Sequence, residues 1–446
     1  MISKKTALLL LIFIGLLAYV YFFEVQGDKR NQVTKEQEER ILQVDRDKVS
    51  RLELLPAKIA LEKQDSGWKI LSPVFTDADQ PVIDLILNDL DKLKKGRFVS
   101  DNPVDFKKFG LAPFRAALVL HWQAGKQDSL LLGNKNLDST QVFFRKSGSY
   151  DVYLIPISLL TNMSRSLYDL RDKSVIKFNR DEISRLLIET NQQTFSCARD
   201  SVQDWRLEYP IKERCDQEKI NDIFDKLESA TISEFIAEKP ADLSGYGLQT
   251  PGLSIALFDS NRTAQQTLFI GTARDDKFYA RDDSRPQIFL IDSSLVSEIN
   301  PGLVELRDKT IAAFDQDSIF EIELIYEQSK IHFLKDSTRK WLITEPDSGL
   351  AKPWKISTLL YDIKDFKVAQ FIDKPFRGDD EYGFRTPGIE LILKKDGAII
   401  ADLLIGNPIN NNVFLKNKLI NKIYQVKKTV KEKLQVDIND YIDSEN

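Results

Sequence analysis

Few residues in this chain have the type and spacing that chemistry needs. The histidines are two, His121 and His332, and the cysteines are two, Cys197 and Cys215. Neither histidine lies near a cysteine, and the spacing signals neither a zinc site nor a Ser-His-acid triad. Three acidic turns, Asp45-Arg-Asp47, Asn179-Arg-Asp181 and Asp315-Gln-Asp317, could offer oxygens to a hard cation. They lack the glycine and the distal glutamate of an EF-hand loop, and short acids in turns ordinarily bond their own backbone. The 68 acidic residues make carboxylate pairs abundant, so no pair can be singled out for acid–base work. No glycine-rich phosphate loop of either usual pattern is present. We therefore expect no catalytic residue, no metal and no cofactor, and a protein that is not an enzyme.

What recurs is a hexapeptide. It reads Trp68-Lys-Ile-Leu-Ser-Pro73, Trp205-Arg-Leu-Glu-Tyr-Pro210 and Trp341-Leu-Ile-Thr-Glu-Pro346, with copies 137 and 136 residues apart. Exposed tryptophans at such positions could stack on sugars. One ring per copy inside an apolar strand points instead to core. Other landmarks keep the spacing. An aromatic-glycine turn carries Gly110, Gly247 and Gly383, and Pro113, Pro251 and Pro387 follow. Glycine there serves positive φ, and the proline redirects the chain. Leu132-Gly133, Ile270-Gly271 and Ile405-Gly406 come next. Leu170-Arg-Asp-Lys173 recurs as Leu306-Arg-Asp-Lys309, whereas the third copy ends in Asp437-Ile-Asn-Asp-Tyr441. Features in fixed order at a fixed period mean repeated units.

The elements that must carry these landmarks follow from local pattern. Each copy opens with a short apolar run read as a strand: Ile41–Val44, Val175–Phe178 and Ile311–Phe314. The acidic turn and two strand-like runs follow, and the tryptophan strand ends at proline, which cannot donate to a ladder. The period then becomes helical: Val82, Leu85, Ile86, Leu90 and Leu93; Ile220, Ile223, Phe224 and Leu227; Ile356, Leu359, Leu360 and Ile363. Asp77 or Asp79 would cap the first helix. Further strands and a closing helix over 157–170 complete the unit. The fold class is thus α+β, mostly antiparallel, in three tandem units at 41–174, 175–310 and 311–446. Each is long enough for its own core.

By spacing from the tryptophans, Cys197 and Cys215 align with Ala60 and Ala78 of the first copy. Small residues at both places suit a close approach of strand and helix start, and an exported domain can oxidise the pair to a disulfide. Two buried free thiols are the other reading.

The first residues decide where the chain sits. Thr6 to Phe23 carries no charge, and at helical rise its eighteen residues reach roughly 27 Å, enough to cross a bilayer core. Lys4 and Lys5 precede it and Tyr19 and Tyr21 lie near its far end. The end of the run offers no small residues for signal cleavage. We expect a transmembrane signal anchor over 1–24, a charged stalk over 25–40, and everything beyond exported across that membrane. A net charge of −5 without a basic stripe argues against a nucleic-acid partner.

The anchor, the Trp-x-Leu/Ile-x-x-Pro strands, the Tyr-Gly-Leu turns at Tyr246-Gly247-Leu248 and Phe109-Gly110-Leu111, and the Leu/Ile-Gly strands together resemble the bacterial family known as domain of unknown function 4340. The resemblance covers essentially everything after the anchor. It carries over no catalytic residue. It implies the bacterial inner membrane, with the C-terminal part in the periplasm, and a partner role, because some members resemble auxiliary subunits of gliding-motility-type ABC transporters or are encoded beside them. The function expected is a non-enzymatic scaffold or auxiliary part of such a complex. A glycan- or lipid-binding module and a hydrolase with a site between repeats are the alternatives.

Overall fold

A computed structural model describes residues 40–42, 44–123, 125–374 and 378–443. The expected anchor, and the expected stalk up to residue 39, lie outside the described residues. The described chain is mostly antiparallel sheet: three sheets of nine strands each, with few helices.

In the first sheet the strands are β1 (Val49–Leu55), β2 (Ile59–Gln64), β3 (Gly67–Ser72), β4 (Thr76–Asp77), β5 (Arg97–Ser100), β6 (Ala116–Trp122), β7 (Gln127–Lys135), β8 (Gln141–Lys146) and β9 (Val152–Pro156). Their order is β4-β3-β2-β1-β6-β7-β8-β9-β5. The second sheet, from Arg185 to Asp292, and the third, from Glu321 to Lys427, repeat this order strand for strand. Both edges are short, which leaves little backbone for stray pairing. By contact the described residues form two compact units. One lies within Met1–Val175, Ser229–Gln249 and Thr272–Asp292; the other within Ile176–Glu228, Thr250–Gly271 and Ser293–Asn446.

Alternation along the strands turns one sheet face inward. In the first sheet Leu52, Leu54, Leu61, Ile70, Leu118, Leu120 and Leu130 are all buried on it. Helix α1 (Gln80–Asp91) covers that face with Ile83, Ile86, Leu87 and Leu90, a set at i, i+3, i+4 and i+7. Each such side chain contributes about 1.5–3 kcal/mol by burial. Of the two candidate caps, Asp79 accepts from the Val82 N–H. Of the expected face, Ile86, Leu90 and Leu93 are buried and Val82 packs against the core, but Leu85 is exposed, and Ile83 and Leu87 are buried instead. In the second copy the helix Gln217–Ser229 buries Ile220, Ile223, Phe224 and Leu227. In the third, Pro353–Lys364 buries Ile356, Leu359, Leu360 and Ile363.

Two further expectations change. Among the described residues the opening apolar runs form no strands. Leu42, Val44, Val175, Ile176, Ile311 and Ala312 are buried, yet their backbones join no ladder beyond single bridges at Arg40, Ser174 and Thr310. The closing helix is broken into α2 (Ser158–Met163) and α3 (Leu167–Leu170). Ser166 breaks it by starting a new helix: its hydroxyl accepts from the Asp169 N–H while the Asp169 carboxylate takes the Ser166 N–H.

Candidate functional site

The repeated signature is internal. Trp68, Trp205 and Trp341 are 4%, 3% and 6% exposed, so none offers a ring face to a sugar. In two copies a glutamine holds the tryptophan strand: Gln80 Oε1 accepts from the Trp68 N–H at 2.7 Å, and Gln217 does the same for Trp205. Pro353 stands at this place in the third copy. Pro73, Pro210 and Pro346 follow cis peptide bonds, as does Pro113 but neither Pro251 nor Pro387. Gly110, Gly247 and Gly383 have φ of +70°, +67° and +80°. A Cβ at Gly383 would lie 2.6 Å from the Asn407 side chain, so turn and packing both require glycine. In the acidic turns Asp45, Asn179 and Asp315 accept from the backbone N–H two residues on.

The cysteines lie side by side as thiols in the interior. The Cys215 side chain, hydrogen-bonded to it, and then burial push the Cys197 thiol far up. The alignment of Cys197 is corrected. It pairs with Leu186 and Leu207, as Leu61 pairs with Leu52 and Ile70 and Phe333 with Ile322 and Ile343. Leu61, not Ala60, is its counterpart, because the first copy's β2–β3 hairpin is one residue shorter. Cys215 does stand with Ala78 and with Ala351: each donates its N–H to the carbonyl of the repeat's tryptophan.

The histidines sit in charged patches on sheets one and three. His121 Nε2 is 3.2 Å from Glu53 Oε1. His332 Nε2 is 2.8 Å from Glu321 Oε1, and its Nδ1 is 2.6 Å from the Thr344 hydroxyl. Glu321, Glu323 and His332 bring ligand atoms within 4.8 Å of one another. Lysines already neutralise this donor set. Lys394 pairs with both glutamates and Lys330 with Glu323 at 3.0 Å. Burial alone would raise Glu321 and Glu323, but the bonds from Lys394 outweigh it and hold both below the usual carboxylate range. A divalent cation here would have to displace two ammonium groups, so the set fits a metal poorly. Acids two apart on one strand, Glu321 and Glu323, were the available sequence signal for the patch.

A polar cavity of about 670 Å³ opens on the second sheet, lined among others by Arg185, Arg199, Asp200, Asp259 and Arg262. Two of its acids serve turns. Asp200 accepts from the Val202 and Asp204 N–H groups, and Asp259 from those of Asn261 and Thr263. Arg185 is paired with Glu208 at 2.8 Å.

The most heavily built polar chemistry is in the Leu-Arg-Asp-Lys element. After α3, Asp79 donates its N–H to the Leu170 carbonyl, Asp172 donates to the Asp77 carbonyl, and Lys173 pairs with the Asp79 carboxylate at 3.0 Å. The tail of the repeat is thereby pinned to the start of its own helix. This leaves Arg171, whose side chain is 3% exposed, pointing at the next sheet's edge strand, Glu234–Ala237. Its guanidinium lies 3.5 Å over the Phe235 ring and makes a two-pronged pair with Glu238 at 2.6 and 3.0 Å. Arg307 repeats the arrangement. It lies 3.5 Å over Phe371 and forks onto Asp373 at 2.8 and 2.7 Å, while its Nε donates to Glu213 at 2.7 Å. Burial alone would lower this guanidinium, but Asp373 and Glu213 outweigh it and raise it. Tyr424 beside it is pushed up to about 12, by burial and then by the Glu213 charge.

The third copy has the same backbone and no arginine. Ala78 bridges Arg171, Cys215 bridges Arg307, and Ala351 bridges Ile442. Sequence reading found Leu-Arg-Asp-Lys only as a landmark. Its role was hidden because the acids that complete it lie 67 and 66 residues further on.

A family model described as "Domain of unknown function (DUF4340)" matches residues 68–238 and, again, 205–387. Each match runs from one tryptophan strand past the next sheet's edge strand, and so contains one complete arginine clamp. No curated protein and no solved structure matches the chain. Since the two matches together span 68–387 of 446 residues, the chain belongs to the DUF4340 family.

Proposed function

We propose that this is a non-enzymatic, single-pass envelope protein whose three units dock a transporter or another envelope component. The observation that carries the docking reading is the clamp. Two of the most deeply buried charged side chains, Arg171 and Arg307, join one sheet to the next, a construction suited to presenting a fixed surface. The membrane part rests on the Thr6–Phe23 run behind Lys4 and Lys5. Among the described residues no helix is long and apolar enough to cross a membrane. The anchor at 1–24, the stalk at 25–40, the boundaries at 41–174, 175–310 and 311–446, and an exported C-terminal part all belong to this proposal. Co-purification from detergent-solubilised membranes tests it: a stoichiometric transporter subunit is expected, and a chain that elutes alone overturns it. Protease added to intact spheroplasts should digest the repeats, and full protection would reverse the topology.

On the exported side, the Cys197–Cys215 pair forms a disulfide in this proposal. It would close a loop of about 19 residues and add about 3 kcal/mol. Mass spectrometry of the alkylated, non-reduced protein checks it, and two free thiols overturn it. A second reading, glycan or lipid binding, draws support from Trp354 and Tyr361. They are 62% and 63% exposed and seven residues apart on one helix face. Quenching of Trp354 fluorescence by spin-labelled lipid vesicles or oligosaccharide, absent in Trp354→Ala, would favour it.

A further inference from the structure

Both internal clamps consist of a buried arginine from one repeat and a receiving face on the next. The receiving face has two parts, a phenylalanine on the edge strand and an acid just beyond it. The first sheet has this face too. Arg97, Phe98 and Ser100 of β5 pair with Leu154, Tyr153 and Val152 of β9, with a register shift between Phe98 and Ser100. In the second sheet Glu234, Phe235 and Ala237 pair with Leu290, Phe289 and Ile288, with the shift between Phe235 and Ala237. The bulge is the same, so Asp101, three residues after Phe98, stands where Glu238 stands three after Phe235. The third sheet pairs Gln370, Phe371 and Ile372 without a shift, and there the acid comes one residue earlier, at Asp373. One extra residue in the bulge accounts for the different spacing. The ring environment also matches: Phe98 packs edge-on to Tyr153 at 5.9 Å, as Phe371 does to Tyr424 at 5.8 Å.

What differs is occupancy. Phe98 is 53% exposed, while Phe235 and Phe371 are half-buried under guanidinium groups. Among the described residues no cation lies over Phe98 and none pairs with Asp101. The chain's own sequence offers no arginine at the matching place. Ser174, which bridges Thr231, follows Arg171 by three; Arg40, which bridges Lys94, follows Gln37 by three. A second copy offers none either, because Ile442 holds the arginine position of the last repeat.

We propose that Phe98 and Asp101 form an open socket for an arginine of a different polypeptide, presented as Arg171 and Arg307 are presented inside this chain. The inference rests on the docking reading and names the face that does the docking. A guanidinium would add a cation–π stack and a forked carboxylate pair, which a lysine cannot reproduce.

The probe is a peptide with this chain's own clamp sequence, Ser166–Lys177, titrated against the full-length protein. Saturable binding is expected, weakened at least tenfold by Asp101→Asn, by Phe98→Ala, and by Arg171→Lys in the peptide. No saturable binding, or binding indifferent to these changes, overturns the socket. Because Asp101 and Phe98 are exposed, unchanged thermal unfolding of the variants separates lost binding from lost fold. A photoreactive phenylalanine analogue replacing Arg97 in membranes then identifies the occupant. An adduct on an arginine-bearing segment of another polypeptide, lost with Asp101→Asn, supports the proposal. An adduct on residues 1–39, on a second copy, or on nothing overturns it. The titration does not need the native partner, so its failure overturns the socket alone, whereas an empty co-purification overturns the docking reading alone.

Discussion

The two internal junctions are built on one backbone plan and finished differently. At the second, the Arg307 Nε meets Glu213, and Glu213 is also engaged by Lys422. At the first, the matching strand positions carry Thr76 and Gln287. Thr76 pairs with Ile70 as Glu213 pairs with Leu207. Gln287 precedes Ile288 as Lys422 precedes Ile423, and each isoleucine faces the edge strand. The consequence is visible at Arg171, whose Nε is buried without a partner, and at Gln287, whose Oε1 is buried likewise. The fork and the stack are therefore the common core of a junction, and the Glu–Lys pair is an addition. A buried charge gains from each added partner only because leaving it bare in the interior is so costly.

The largest effect should come from removing the better-partnered arginine. Arg307→Ala leaves Glu213, 14% exposed, with Lys422 alone, and strips Phe371 of its cover. A loss of about 3–5 kcal/mol in urea unfolding is expected. Arg171→Ala leaves only Glu238, 37% exposed and open to water, so about 2–3 kcal/mol is expected. Equal losses at the two sites would mean that the extra pair contributes nothing, and the comparison fails.

Exchange of the finishing residues sharpens the point. Glu213→Thr should cost about 1–3 kcal/mol, since it orphans the Arg307 Nε and unpairs Lys422. The reverse graft, Thr76→Glu with Gln287→Lys, should add about 1 kcal/mol to the first junction. Either single change should add less than half of that, because each charge needs the other. A double-mutant cycle measures the coupling, and strict additivity would refute the network.

Much of this plan could be read from the sequence. Ile220, Ile223, Phe224 and Leu227 declare a helix face by spacing alone, and the tryptophan strands declare the core. What could not be read depends on partners distant in sequence. The run Val175–Phe178 looks like a strand, but ladder formation needs a neighbour, and its pairing stops after the Val175 N–H donates to the Ala230 carbonyl. Cys197 was misaligned by one residue because hairpin length is set by turn geometry, which spacing from Trp205 does not report. Arg171 could be seen to recur, but the bulge that places Glu238 rather than Ala237 beneath it is a property of the paired backbone. The exposure of Phe98 depends on what packs over its strand, which no pattern within the first copy reveals.

The stacked ring can be tested apart from the charges. Phe235→Leu and Phe371→Leu keep apolar cover over the edge strand but remove the ring under the guanidinium. A loss of about 0.5–2 kcal/mol is expected at each, since cation–π stacking at partly desolvated sites is of that size. The loss should be the larger at Phe235, where Arg171 has fewer other partners. The same loss in an Arg171→Ala background would show that the ring acts through ordinary packing.

The smallest effect on stability, and the most specific, should come from the far end of the chain. Tyr441-Ile-Asp443 repeats the backbone bonds of Leu170-Arg-Asp172: Lys352 donates to the Tyr441 carbonyl at 2.8 Å as Asp79 does to that of Leu170. Only the arginine is replaced, by an isoleucine that is 38% exposed. Ile442→Arg would complete a clamp that no fourth sheet among the described residues receives. Stability should change by less than about 0.5 kcal/mol, as for other exposed positions. The variant would, however, carry both a donor clamp and the Phe98–Asp101 face. A head-to-tail contact of that kind links one copy to the next, into a ring or an open chain. Sedimentation should show concentration-dependent assemblies for Ile442→Arg, none for the parent, and none for Ile442→Arg with Asp101→Asn. A variant that stays monomeric at high concentration would mean that the first sheet's face is not equivalent to the internal ones, and the likeness between the junctions and the open end would be one of sequence only.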